Sequence, residues 1–308
     1  MSSPRRGKPL HGWLPLFKPA AMTSTGAVNR VRRLTGAAKA GHGGTLDPFA
    51  EGLLPIALGE ATKTLSMVLQ GDKGYRCWVR FGAETDTCDP EGEIQYADGR
   101  WPAPEALAAA LERFVGEIDQ VPPAHSAIHV DGERAYRKAR RGELVILPSR
   151  RVRIHRLTLV DYRDGVAELT VRCGKGTYMR SLARDLARHL DCRGYLERLL
   201  RTETLGFTME DSVPLDALER AVTDGTLHEV LLPVDRVLDD IPVLRLRAEA
   251  WHKIRNGQAV RLPAEGCPAG LVRLWTPEGR LAAIGELGTD ADFRGFRSCR
   301  SKRLFNLD

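Results

Sequence analysis

The chain has few cysteines and no cysteine pair of the C-x-x-C type. Its six cysteines are scattered over 308 residues, at Cys77, Cys88, Cys173, Cys192, Cys267 and Cys299. This spacing argues against a zinc site and against a disulfide framework, and it is typical of a protein from a reducing cytoplasm. We therefore expect no metal centre and a cytoplasmic location.

Long apolar runs and nucleotide-binding glycine motifs are also missing. No segment approaches the roughly 18 apolar residues of a membrane span, and GWLPLF after the basic start is too short and proline-broken for a signal sequence. The sequence has neither a P-loop nor a credible dinucleotide fingerprint. We therefore expect no membrane contact and no cofactor. We also expect the protein to function as a monomer.

Positive charge is modest in sum, at +6, but basic clusters recur along the chain. Arginine outnumbers lysine heavily, and guanidinium groups suit bidentate phosphate contacts and stacking on bases. Any single cluster is better explained as a solvated face, but five of them in a chain rich in acids favour a polyanionic partner. The clusters lie at Pro4–Lys8, Arg30–Arg33, Arg137–Arg141, Arg150–Arg156 and Arg297–Arg303.

Local patterns predict several elements. Capping residues and apolar spacing predict helices over Thr23–Gly36 and Pro104–Gly116, and period-two alternation predicts a half-buried strand over Tyr75–Gly82. Gly165–Leu190 has the pattern of a strand, a glycine turn and a helix. Beyond an acidic, proline-bearing boundary at Asp235–Leu244, we expect short strands joined by turns, at Ile254–Val260 and Gly270–Leu287.

These patterns suggest three parts. A basic flexible tail spans residues 1–8, a main domain spans 9–238, and a small β-rich domain spans 239–308.

The segment HGGTLDPFAEGLLPIALGEATKT, His42–Thr64, is the most informative because it holds Asp47 between a glycine-rich turn and a proline. Gly43 and Gly44 allow positive φ or a close approach, and Pro48 pushes Asp47 toward an extended conformation. The spacing alone favours a structural role, in which Asp47 caps a helix that begins at Pro48.

This segment resembles the catalytic signature of the TruB-type tRNA pseudouridine synthases, in which the aspartate of the TLDP step is the nucleophile. The resemblance covers most of the first two thirds of the chain, and it continues through Phe17–Ser24, Asp72–Cys77, Arg80–Gly92, Ser126–Tyr136 and Cys173–Leu186. It implies isomerisation of the T-arm uridine conventionally numbered 55, with tRNA as partner. It also implies a mixed α/β catalytic domain on a central, largely antiparallel sheet. The C-terminal part resembles a PUA-type RNA-binding module much more weakly.

The resemblance also implies roles for particular residues. Asp47 would be the nucleophile, Arg180 its ion-pair partner, and Tyr75 the ring that stacks on the target uracil and accepts the C5 proton. The resemblance also implies five substrate-binding positions. His42 would fill the gap left by a flipped nucleotide, Tyr178 would contact the base or Asp47, and Leu199 would form a hydrophobic floor. Lys18 and Lys63 would support the site or the RNA backbone.

Several alternatives stay open from the sequence. Arg180 is also suited to a phosphate contact, Tyr75 and Leu199 to core packing, and His42 to a turn. Asp47 is suited to attack on either the sugar C1′ or uracil C6. The sequence departs from the family pattern at His129, where lysine is common, and at Leu200, where arginine is common.

Other functions also stay open. The related guide-RNA-dependent synthases of ribosomal RNA usually carry lysine-rich extensions, which this chain does not have. A protein that binds or folds RNA without turnover is a further alternative.

Overall fold

The computed structural model describes residues 7–68, 71–126, 128–130, 132–263, 266–292 and 295–307. The first half contains β1 (Gly12–Lys18), α1 (Ser24–Thr35), β2 (Ala40–His42), β3 (Glu51–Leu58), α2 (Leu65–Val68), β4 (Lys73–Phe81), β5 (Ala83–Thr85), β6 (Ile94–Ala97), α3 (Pro104–Glu112), β7 (Gly116–Gln120), β8 (His129–Val130), β9 (Glu133–Arg134) and α4 (Ala135–Arg140). The second half contains β10 (Arg150–Arg163), β11 (Val166–Cys173), α5 (Met179–His189), β12 (Gly194–Thr204), β13 (Phe207–Thr208), α6 (Leu215–Thr223), α7 (Leu227–Val230), β14 (Val243–Arg245), α8 (Ala248–Arg255), β15 (Val260–Pro263), β16 (Gly270–Trp275), β17 (Leu281–Ala291) and β18 (Phe296–Leu304). Short 3₁₀ helices cover Gly59–Thr64 and Met209–Asp211. None of the helices in these ranges is long and apolar enough to cross a membrane.

A mixed sheet forms the centre of the larger part. Its strand order is β1-β3-β12-β4-β11-β10-β7, with β2 added to β3 and β13 added to β12. These strands pair antiparallel except for β3 with β12, which run parallel and pair only through Glu51 with Leu200 and Gly52 with Arg201. The predicted mixed α/β fold on a largely antiparallel sheet is confirmed.

One face of this sheet carries the main core. On β4 the side chains of Cys77, Val79 and Phe81 are buried while Arg76 is exposed, as the period-two pattern predicts. Helix α5 packs against the same core through Leu182 and Leu186. Burial of each such side chain stabilises the fold by roughly 1.5–3 kcal/mol, so this packing fixes where α5 begins relative to the sheet.

Helix α1 forms where its caps and spacing predict. The Thr23 side chain accepts a hydrogen bond from the Gly26 amide at 2.9 Å, and Gly36 ends the helix with φ of 71°. Ala27 and Val31 face the core, whereas Arg32 and Arg33 are exposed. The helix therefore presents its basic residues to solvent.

Two element predictions need correction. The predicted helix over Pro104–Gly116 ends at Glu112, because the Arg113 and Phe114 amides bond three residues back and tighten the chain before Gly116 opens β7. The segment predicted as strand from Ile254 belongs in part to α8, since Ile254 is fully buried on that helix and β15 begins only at Val260.

The predicted basic tail lies mostly outside the described residues, since residues 1–6 are not described. Gly7 and Lys8 do not belong to a tail. The Lys8 amide donates to the Gly36 carbonyl at 2.8 Å, and the Ala38 amide donates to the Lys8 carbonyl at 3.1 Å. Lys8 is therefore part of the folded body, which the prediction placed from residue 9 onward.

The C-terminal part is a second sheet with strand order β14-β16-β17-β18-β15. The turn between β16 and β17 contains Pro277 and Gly279, as predicted. Ile284 and Phe305 of this part are buried in one cluster with Trp13, Leu53 and Phe207 of the larger part. The two sheets are therefore joined by a shared apolar core.

Candidate active site

Asp47 lies in the loop between β2 and β3, which we call the catalytic loop (residues 43–50). An added Cβ at Gly43 would come within 2.5 Å of the Leu205 side chain, and Gly44 has φ of +119°. The backbone at Gly44 therefore favours glycine, and at Gly43 a larger residue would have to displace the Leu205 side chain. The Ala50 amide donates to the Asp47 carbonyl at 3.2 Å in a single turn, with no helix starting at Pro48. The helix-capping interpretation of Asp47 is wrong.

Two buried side chains anchor this loop from beneath. The Ser24 hydroxyl donates to the Leu46 carbonyl and accepts from the Leu46 amide, both at 2.8 Å. The Lys18 ammonium donates to the carbonyls of Pro19, Met22 and Pro48 at 2.8, 2.7 and 3.2 Å. Lys18 is fully buried, and its desolvation lowers its pKa to about 8 despite the nearby Asp47 charge. Lys18 therefore supports the loop and is not accessible to an RNA backbone.

The Asp47 carboxylate meets the Arg180 guanidinium. Arg180 Nη2 donates to Asp47 Oδ1 at 3.1 Å, and Arg180 Nε lies 3.0 Å from Asp47 Oδ2. The Nε contact is an ion pair without hydrogen-bond geometry. Arg180 is 6% exposed in its side chain and Asp47 is 33% exposed. The carboxylate is thus open to a ligand on one side while its cation is buried.

A second carboxylate holds Arg180 in place. Arg180 Nη1 donates to Asp89 Oδ2 at 2.9 Å and to the Thr87 carbonyl at 3.2 Å, and Nη2 also donates to the His125 carbonyl at 3.0 Å. Asp89 is 4% exposed, and its other oxygen accepts from the Thr87 hydroxyl and the Glu91 amide. Arg180 therefore stands in one fixed orientation toward Asp47.

These neighbours act on the Asp47 carboxyl in opposite directions. Burial raises the pKa of Asp47 above its ordinary value, the Arg180 cation opposes this rise, and the Asp89 anion reinforces it. The net pKa is raised. Asp47 is thus a carboxylate that is poorly solvated yet paired with a cation, which is the condition for an enzymatic nucleophile.

Tyr75 is buried on β4 next to Arg201 of β12. Burial raises the pKa of the Tyr75 hydroxyl to about 12, although the neighbouring Arg201 cation, which hydrogen-bonds to that hydroxyl, opposes the rise. At neutral pH the phenol is therefore protonated. Leu199 is buried in the same core cluster as Tyr75, which agrees with a floor residue and equally with plain packing.

Arg201 ties the catalytic loop to the sheet. Its Nε donates to the Leu53 carbonyl at 2.7 Å, Nη1 to the Thr45 carbonyl at 3.4 Å and Nη2 to the Gly44 carbonyl at 3.1 Å. It is 1% exposed, and no ion pair with a carboxylate is found for it in the described part of the chain. The loop before Asp47 is thus held by a buried cation bonded to carbonyl oxygens.

Tyr178 and His42 line the same neighbourhood. The Tyr178 amide donates to the Gln120 side-chain oxygen at 2.7 Å, and the Gln120 side-chain nitrogen donates to the Tyr178 carbonyl at 3.1 Å. Burial raises the pKa of Tyr178, and Arg150, Arg180 and Asp47 all act on it electrostatically. Burial and Arg201 lower the pKa of His42, so its ring is neutral at pH 7.

Lys63 is not brought to this cluster. Its ammonium donates to Glu60 and, at 2.8 Å, to the Leu304 carbonyl of β18. It therefore joins the two sheets. The basic cluster of β18 is also engaged within the chain, since Arg297 and Arg303 donate to the Cys267 and Lys63 carbonyls and Lys302 pairs with Glu286.

Sequence reasoning missed Asp89 and Arg201. Asp89 lies inside Arg80–Gly92, a segment that resembles the family, but nothing local marks it as the partner of Arg180. Arg201 directly follows the departure at Leu200, which faces Arg76 in the strand register. The departure at Leu200 leaves the buried Arg201 unchanged.

No group of three or more His, Cys, Asp and Glu side chains within the described ranges is arranged to hold a metal ion. The polar groups around Asp47 instead pair with each other. The arrangement provides one exposed carboxylate edge, a fixed guanidinium and two tyrosines, which suits covalent attack on an uncharged ring or sugar.

Three family models match the chain in succession. They are the TruB family pseudouridylate synthase N-terminal domain over residues 32–179, the tRNA pseudouridylate synthase B C-terminal domain over 180–239, and the pseudouridine synthase II TruB C-terminal domain over 242–305. The chain is also 46% identical over 315 residues to the tRNA pseudouridine synthase B of Nitrobacter winogradskyi, across 99% of this chain and 86% of that protein. The chain belongs to the TruB family.

A second TruB-family relative supports this membership. It is the tRNA pseudouridine synthase B of Bradyrhizobium diazoefficiens, which is 47% identical across 98% of this chain and 88% of that protein.

Among solved structures, a chain of a Cbf5–Nop10–Gar1 complex is similar with a TM-score of 0.73 and 22% identity. That alignment covers 100% of this chain and 92% of the other. At this identity the likeness shows a shared fold over the whole chain.

Proposed function

We propose that this protein is a tRNA pseudouridine synthase that isomerises the T-arm uridine 55, with Asp47 as nucleophile. The observation that carries the proposal is the half-open Asp47 carboxylate paired with an Arg180 guanidinium that is itself clamped by Asp89. The family membership and the names of the curated relatives support tRNA as the substrate.

The reaction rearranges bonds without net oxidation. The N1–C1′ bond of the uridine breaks, the uracil turns, a C5–C1′ bond forms, and the proton on C5 leaves while N1 gains one. Asp47 attacks C1′ or uracil C6, and either attack requires an ionised carboxylate shielded from bulk water. Burial raises the pKa of Asp47, and the Arg180 cation opposes this rise and so favours the ionised carboxylate.

Tyr75 supports the uracil in this proposal. Its ring lies on β4 and suits stacking on the uracil, and its protonated hydroxyl suits hydrogen bonding in the resting enzyme. Removal of the C5 proton by Tyr75 requires the phenolate form, and Arg201 is placed to stabilise that negative charge. Tyr178, beside Asp47 and Arg150, supplies a second aromatic surface for the flipped base.

The remaining parts of the proposal concern the setting of the enzyme. The sheet of residues 239–308 would be a PUA-like module that contacts tRNA, and His42 would fill the gap in the RNA left by the flipped nucleotide. The enzyme would work as a cytoplasmic monomer. The C-terminal exposed cations Lys253 and Arg255, at the end of α8, support contact with the RNA.

A single assay tests the proposal. Purified protein is incubated with an unmodified tRNA transcript and no guide RNA, and pseudouridine is then mapped by position. We expect conversion at position 55 and no conversion in a transcript that carries cytidine there. Formation of pseudouridine only when a guide RNA is added would point to the guide-dependent class of synthases instead.

The Asp47→Asn variant tests whether Asp47 is the nucleophile. The amide keeps the shape of the side chain but has no anionic oxygen, so turnover is expected to vanish while tRNA affinity stays near that of the wild type. Multiple turnover by this variant, in a preparation free of the wild-type enzyme, would remove Asp47 from the role. Binding without turnover by the wild type itself would favour an RNA-folding protein.

A further inference from the structure

Two basic clusters that are distant in sequence meet at one cavity. It has a volume of about 900 Å³ and lies at the C-terminal end of α1, lined by Gly7, Lys8, Asn29, Arg32, Arg33, Gly36 and Ala37. Lys8 comes from the first cluster of the sequence, whereas Arg32 and Arg33 come from the second. We call this cavity the α1 pocket.

The α1 pocket is built from fixed backbone. Lys8 is held over the end of α1 by its two backbone hydrogen bonds to Gly36 and Ala38. Gly7 passes so closely that an added Cβ would lie 2.7 Å from the Gly36 carbonyl oxygen, and the Lys8 stem runs within 3.6–3.7 Å of the Cβ position of Gly36. The position of Lys8 is therefore set by the fold rather than by a flexible tail.

The charge of the α1 pocket is strongly positive. Three cations line it, and among the described residues that line it there is no acidic side chain. The C-terminal end of a helix carries roughly half an elementary negative charge, which neutralises only a small part of three positive charges. The excess suits an anion with several negative groups in a row.

Helix α1 also connects this pocket with the reacting carboxylate. Its first residue, Ser24, bonds to Leu46 on the catalytic loop, and its last turn carries Arg32 and Arg33. Twelve residues of helix span about 18 Å. A polynucleotide that places one nucleotide against Asp47 is long enough to reach the α1 pocket, whereas a free nucleotide is not.

We infer that the α1 pocket binds phosphate groups of the tRNA backbone at a distance from the target uridine. This inference rests on the proposed function, which supplies tRNA as the ligand. Guanidinium groups and one ammonium group are the donors that phosphate oxygens take most readily. The contacts are independent of base sequence and contribute to affinity, not to the chemical step.

The test compares charge-matched variants of the full chain. The double variant Arg32→Gln/Arg33→Gln loses two charges at the α1 pocket. The control variant Arg163→Gln/Arg220→Gln loses two exposed arginines that pair with Asp161 and Asp216. The dissociation constant for full-length tRNA is measured at several salt concentrations, together with kcat at saturating tRNA.

We expect the Kd of the α1-pocket variant to rise about tenfold and the slope of log K against log salt to shrink by about 1.5, since each released phosphate contact contributes 0.7–0.9. The kcat should equal that of the wild type. A Kd and a salt slope equal to those of the control variant would overturn the inference.

Lys8→Gln serves as an independent variant because it changes no residue of α1. We expect a smaller rise in Kd and a loss of slope of about 0.8. If the wild type binds tRNA but makes no pseudouridine, the proposed function falls. The Kd values and salt slopes alone then decide whether the α1 pocket contacts tRNA.

Discussion

The guanidinium of Arg180 is shared between two carboxylates, and this sharing sets the acidity of Asp47. Arg180 lowers the pKa of Asp47, whereas burial and the Asp89 anion raise it, and the raised direction wins. In the proposed function the ionised form of Asp47 is the nucleophile, so we expect activity to be lost as the pH falls through this raised pKa. The acid limb of the kcat/KM profile should therefore lie above the ordinary pKa of an aspartate.

Replacement of Asp89 separates its two effects on the site. In Asp89→Asn the loss of the anion lowers the pKa of Asp47, so we expect the acid limb to move to lower pH. The maximal kcat should fall about tenfold or more, because Arg180 loses its charged clamp. The measurement is the pH profile of pseudouridine formation. Asp86→Asn in the same loop, where the exposed Asp86 side chain accepts the Glu93 amide, is the control. An unmoved acid limb in Asp89→Asn would contradict this account.

At the scale of elements, strand β12 positions the catalytic loop through Arg201. Its guanidinium donates to three carbonyl groups, those of Gly44 and Thr45 in the catalytic loop and that of Leu53 on β3. Each hydrogen bond to a buried charged donor contributes about 1.5–3 kcal/mol. The catalytic loop is therefore fixed in part by a side chain that bonds to its backbone carbonyl groups.

Substitution of Arg201 tests this positioning role. We expect Arg201→Met to lower kcat at least tenfold with little change in KM, because the loop loses its anchor while the RNA-binding surface is unchanged. Arg201→Lys should recover only part of the rate, since an ammonium cannot span the three carbonyls. Arg198→Met, an exposed position of the same strand, is the control. Circular dichroism confirms folding first, and a wild-type kcat in folded Arg201→Met would exclude the role.

The elements that the sequence predicts are those whose signals are local. Strand β4 and helices α1 and α5 follow from periodicity and caps within twenty residues. The local hydrogen bonds that end α3 and the burial that places Ile254 on α8 are not reported by periodicity. In the site, Asp47 and Arg180 were predicted by resemblance. Asp89 and Arg201 were not, because their roles depend on partners about 90 and 150 residues away.

At the scale of the whole molecule, the two sheets share one apolar cluster. Phe305 and Ile284 of the C-terminal sheet pack with Trp13 and Leu53 of the larger one. Removal of residues from 240 onward would expose this cluster, so a truncated body is a poor test of RNA binding by the C-terminal part. Point variants of exposed residues are the better test.

The shared cluster predicts cooperative unfolding of the whole chain. Phe305 is 6% exposed, and Phe305→Ala should cost about 3–5 kcal/mol. Both sheets should lose stability together, with a single transition seen by far-UV circular dichroism and by tryptophan fluorescence. Leu271→Ala, at a position 43% exposed on β16, should change stability little. Two separate transitions in Phe305→Ala would show that the sheets unfold independently.

The short parallel contact between β3 and β12 also has a consequence for recombination between relatives. It joins the sheet through two residue pairs, and an added Cβ at Gly52 would lie 2.3 Å from the Arg201 carbonyl oxygen. Asp47 lies on one side of this contact, with Tyr75 and Arg180 on the other. A chimera that crosses over between β3 and β4 would build its main core from both parents, because Leu54 of β3 packs in one cluster with Val79 and Leu182. It would also join Asp47 from one parent to Tyr75 and Arg180 from the other, so its activity depends on how well the two halves of the core and this junction match.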